Sequence, residues 1–99
     1  MTDQEFAEIF LREYEEIEKS CATGGQAMLY LDTLVNNDPH HALELLTTII
    51  EHCTKNKQLA FIASGPLENI FVYHGYKILQ NIKDKADNSE KFQLAVSGV

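Results

Sequence analysis

Few side chains in this sequence could do chemistry, and Glu68 and His74 stand out among them. A carboxylate can serve as a general base or hold a ligand, and an imidazole changes charge near neutral pH. Glu68 closes the segment Ser64-Gly65-Pro66-Leu67-Glu68, and His74 stands directly before Gly75. Their spacing on one helix separates them by roughly 120° in direction. They therefore form no direct acid–base pair within that helix, and a shared pocket needs the N-terminal helices to complete it. Tyr73 lies off the inward stripe beside the break at Gly75, where an exposed aromatic suits a contact role. Both polar residues also have architectural readings. Glu68 falls where a carboxylate accepts from free amides at a helix start. His74 falls where a ring bonds a free carbonyl at a helix end.

The other reactive residue types form no constellation. His40 and His41 are adjacent, so on a helix they point about 100° apart and do not chelate in the i, i+4 manner. His52 is too far along to join them. His41 can stand near Asp38 as a local pair of little energetic weight. Cys21 and Cys53 lie in no metal-ligand spacing and no C-x-x-C motif. Thr23-Gly24-Gly25 lacks the Lys and the strand of a phosphate loop, and Ser64 lacks the strand of a nucleophile elbow. No metal and no cofactor are expected.

The elements that carry these residues read as helices. Thr2-Asp3-Gln4-Glu5 is a capping-box pattern. Phe6, Ile9, Phe10, Tyr14 and Ile17 then recur at helical steps, fading near Lys19 to Cys21. Gln26 to Asn36 is a second, well-buried helix with Leu31, Leu34 and Val35 on one face and Ala27 and Tyr30 on the preceding turn. Asp38 caps a central helix and Pro39 starts it. Ala42, Leu45, Leu46, Ile49, Ile50 and Cys53 form its stripe, and its end falls near Thr54 to Asn56. Asn56 is read as the cap of a short helix over 57–64. Gly65 then stops that helix in a left-handed turn, and Pro66 starts the next. Leu67, Ile70, Phe71 and His74 point inward until Gly75 kinks or ends the run. Tyr76 to Ala86 continues with Ile78, Leu79 and Ile82 inward. Asp87-Asn88-Ser89 is a turn and cap before a last helix carrying Phe92, Leu94, Ala95 and Val96. The expectation is an all-α, compact single-domain bundle of about five to seven short helices.

Composition narrows the function classes. The 99 residues suit one domain with a single core. Eight Lys and Arg against 15 Asp and Glu give a formal net charge of -7. That balance repels phosphate backbones and anionic lipid surfaces, so nucleic acid and membranes are not expected partners. No apolar run approaches the roughly 20 residues of a membrane-spanning helix. Thr2-Asp3-Gln4-Glu5 is unlike the basic start of a secretory leader. A cytoplasmic setting with free thiols is the expectation.

Several motifs resemble a family of small bacterial proteins of unknown function. The residues are Asp38-Pro39, Ala42-Leu43-Glu44-Leu45-Leu46, Ala63-Ser64-Gly65-Pro66-Leu67-Glu68, His74-Gly75, and Phe92 with Leu94 to Val99. The resemblance covers about residues 37–99, with the G-P-L-E and H-G pair as its signature. It implies a helical cytoplasmic domain and brings no activity.

The function expected is a small acidic protein-interaction module: an adaptor, a regulator or an immunity-type inhibitor with a basic partner. The alternative is a ligand-binding protein or enzyme with a pocket near Glu68 and His74. A homodimer through the Phe6-Ile9-Phe10-Tyr14-Ile17 stripe is the third arrangement.

Overall fold

The computed structural model describes residues 2–20 and 25–98. Cys21, Thr23 and Gly24 lie outside them, so the expected break there is not described beyond Gly25. The first helix, α1 (Asp3–Ser20), begins as its capping box dictates. The Glu5 amide donates to Thr2 Oγ1 at 3.1 Å, and the Thr2 amide donates back to Glu5 Oε1 at 3.2 Å. Phe6, Phe10 and Tyr14 are buried, with Ile9 and Ile17 at the edge.

Helix α2 (Gln26–Asn37) buries Ala27, Leu31 and Val35. It is less buried than its composition suggests: Leu29 is 68 % exposed and Tyr30 50 %. Helix α3 (Pro39–His52) starts as expected, with the His41 amide donating to Asp38 Oδ1 at 3.3 Å and Pro39 in the first turn. It ends at His52, short of the expected Thr54 to Asn56, because Cys53 is extended. Ala42, Leu43, Leu45, Leu46, Ile49 and Ile50 are all buried. A helix apolar on so wide an arc belongs at the centre of the fold, and α3 packs against α1, α2, α5 and α6.

Helix α4 (Asn56–Ile62) corrects the expected cap. Asn56 is the first helical residue, and the buried Gln58 does the capping instead. Its Oε1 accepts from the amides of Thr54 at 2.7 Å and Lys55 at 3.0 Å.

The largest correction concerns Gly65 and Pro66. The chain neither stops nor restarts there. A π-helical turn, Ala63–Leu67, joins α4 to α5 (Glu68–Asn88) as continuous helix. Gly65 does not enter the left-handed region. A proline inside an α-helix lacks its amide donor and drives its ring against the carbonyl four residues back. The wider π turn moves that carbonyl away, so Pro66 fits and is buried. No run of free amides is left for Glu68 to cap. Glu68 is exposed and has no hydrogen-bond partner among the described residues.

Gly75 interrupts α5 as expected, with φ 16° and ψ -97°. Beyond it Ile78 and Ile82 are buried, while Leu79 sits on the outside. The helix runs to Asn88, and Ser89 caps α6 (Glu90–Ser97) by accepting from the Phe92 amide at 3.2 Å. Phe92 and Ala95 enter the core, and Leu94 faces water. The result is all-α, with no strand among the described residues. The radius of gyration of 12.5 Å matches the about 13 Å of a compact chain this long.

Candidate functional site

Three helix ends in this fold are completed by side chains from other helices. Gly25 precedes α2 and offers no side chain to its free amides. Glu13 of α1 supplies the missing carboxylate. It accepts from the Ala27 amide at 3.1 Å through both oxygens and from the Met28 amide at 3.3 Å. The positive dipole end of α2 favours that charge. At the other end of α2, His74 Nε2 meets the Val35 carbonyl oxygen at 2.6 Å. A carbonyl only accepts, so Nε2 carries the proton. His74 thus bonds a free helix-end carbonyl, on α2 instead of its own helix. Lys91 does the same for α3, donating to the carbonyls of Glu51 at 2.9 Å and Cys53 at 3.0 Å.

The Glu68 and His74 side chains therefore have different surroundings. Glu68 is in solvent, and His74 is half-buried against α2. Tyr73 is 58 % exposed. Its neighbours make it part of an apolar segment on either side of the Gly75 kink, with Val72 at 69 %, Tyr76 at 98 % and Leu79 at 38 % exposed. Asp38, Pro39, Gly65, Pro66 and Gly75 shape the backbone and touch no reactive centre described here. His40 and His41 are exposed, and His52 Nδ1 is 2.9 Å from the Thr48 carbonyl oxygen of its own helix. Among the described residues no three His, Cys, Asp or Glu side chains are placed to hold a metal ion.

Among the described residues, two titratable groups are strongly perturbed. Burial pushes the Cys53 thiol up to about 11, against a smaller opposing pull from Lys91. Burial also pushes the Tyr14 hydroxyl up to about 12, aided by its hydrogen bond to Glu18 at 2.8 Å. Neither group is an activated nucleophile, because both are held in the protonated form.

A concavity of about 500 Å³ opens between α1, α2 and α3. Phe6, Ile9, Ala27 and Leu45 give it apolar walls; Thr2, Asp3, Glu13, Gln26, Tyr30 and His41 give it polar groups. The Phe6 and Tyr30 rings pair across α1 and α2 at 5.5 Å between centroids. Sequence reasoning missed this place. Phe6, Ile9 and Glu13 do share one face of α1 by helical spacing, but the partner face on α2 is legible only once the helices are packed.

No helix among the described residues is long and apolar enough to cross a membrane. No curated protein and no solved structure matches the chain. A family model matches residues 14–99, which takes in part of α1 as well as the expected 37–99. This helical chain, with its side-chain bridges between helix ends, belongs to the family of unknown function DUF6869.

Proposed function

We propose that the protein is an acidic helical interaction module that holds a protein partner on the 72–79 segment of α5. The exposure of Val72, Tyr73, Tyr76 and Leu79 within about two helical turns carries this reading. Scattered surface apolar residues need no explanation, but four within eight residues of chain, two of them tyrosines, have the composition of an interface centre. The partner is basic, since a net charge of -7 speeds encounter with an opposite charge. The setting is a bacterial cytoplasm, and the role is that of an adaptor, regulator or immunity-type inhibitor.

The test compares the wild type with Tyr73→Ser/Tyr76→Ser, both exposed sites at which the fold should tolerate polar residues. Proteins captured from lysate are quantified for each, and light scattering reports self-association. A stoichiometric partner that the variant loses supports the reading. Identical capture by both chains, or a dimer as the sole assembly lost, overturns it.

A further inference from the structure

The geometry points to the concavity between α1, α2 and α3 as a binding site for an organic ammonium carrying an apolar body. Its volume of about 500 Å³ lies within the range of roughly 300–1,000 Å³ typical of small-ligand pockets. Phe6, Ile9, Ala27 and Leu45 line it with carbon, so the occupant needs an apolar stem. Among the described residues its lining carboxylates are Asp3 and Glu13, beside the His41 imidazole, and no Lys or Arg contributes.

Glu13 is already hydrogen-bonded to the start of α2, which partly offsets its charge. Asp3 is exposed and without a hydrogen-bond partner among the described residues, so its carboxylate is available to a cation. The Phe6 and Tyr30 rings supply aromatic surface, which attracts ammonium groups over their faces. The field of a chain with net charge -7 adds to the same selection and opposes phosphates and carboxylates. A lysine side chain of a peptide and a free alkylamine share this chemistry. The concavity is separate from the 72–79 segment, so the inference stands or falls apart from the reading above.

The experiment titrates the full chain with hexylamine, hexanol and hexanoate, followed by amide NMR shifts. Hexylamine should give saturable shifts at Phe6, Ile9, Ala27 and Tyr30. It should bind about tenfold more tightly than hexanoate. Asp3→Asn should weaken it about two- to five-fold, and Tyr30→Ala by about five-fold. Both positions are exposed, so the fold should survive, and unchanged amide dispersion verifies it. A capped Leu-Lys-Leu peptide that binds more tightly than hexylamine assigns the natural source to a protein side chain; the reverse order assigns it to a free amine. Hexanol binding as tightly as hexylamine, shifts confined to α5, or no saturable shift overturns the site.

Discussion

His74 on α5 and Val35 in the last turn of α2 meet through one hydrogen bond, 2.6 Å from ring nitrogen to carbonyl oxygen. They lie 39 residues apart in sequence. The bond uses a carbonyl that the end of α2 leaves free, and it holds the first part of α5 against α2 just before Gly75 turns the chain. Replacing His74 by Ala should cost about 1–2 kcal/mol, because a partly buried carbonyl loses its donor. Urea unfolding measures the loss. Amide exchange should also quicken near Asn36 and Asn37, while His74→Gln, which keeps a donor, should recover part of both.

The Glu13 cap on α2 makes a coupling prediction. Glu13→Ala should cost about 1 kcal/mol. A Cβ added to Gly25 would overlap the Glu13 carboxyl carbon, so Gly25→Ala must push that carboxylate off the amides. Gly25→Ala should therefore destabilise the wild type and cost much less in the Glu13→Ala background. Additive effects in this double-mutant cycle would refute the shared mechanism.

Glu5 and Glu68 both sit in the first turn of a helix, yet only Glu5 should matter to stability. The Thr2 amide donates to the Glu5 carboxylate and holds its pKa below the ordinary 4.5. A lowered native pKa contributes stability above the unfolded value and loses it as pH falls through the native value. Glu5→Gln should thus lower the melting temperature at pH 7, with the difference from wild type shrinking below pH 4.5. Glu68→Gln should change stability at pH 7 by less than about 0.5 kcal/mol, since Glu68 meets no free amide.

Alkaline pH should destabilise the fold through two buried groups. Cys53 rises from 9.0 to about 11, and Tyr14 rises from 10.0 to about 12. A raised native pKa means the folded state holds its proton longer, so stability is intact below the unfolded value and falls above it. Denaturant midpoints should drop between pH 9 and about 12, by about 1 kcal/mol or more in stability. Cys53→Ala and Tyr14→Phe should each flatten that decline. Native Cys53, which donates to the Ile49 carbonyl, should also resist alkylation at pH 8 until the chain is unfolded.

Much of this protein is written in local residue order. Thr2 with Glu5, Asp38 with Pro39, and Ser89 before Phe92 each act within one turn, so their spacing alone locates three helix starts. The stripe Ala42, Leu45, Leu46, Ile49 and Ile50 likewise identifies the central helix by its period. Gly65-Pro66 carries the same local signal as a helix boundary, yet packing decided otherwise. Ala63, Pro66 and Leu67 are all buried, and a π turn keeps them in the core without breaking the helix. The sites were less legible than the helices. Glu13 reaches the start of α2, His74 reaches its end, and Lys91 reaches the end of α3 only because the helices stack. The same stacking opens the cavity beside Phe6 and Tyr30. Sequence alone determined where most helices begin and which faces are apolar, because those depend on neighbours a few residues away. Tertiary structure decided which side chain completes which helix end, because that depends on distance in space between residues far apart in the chain.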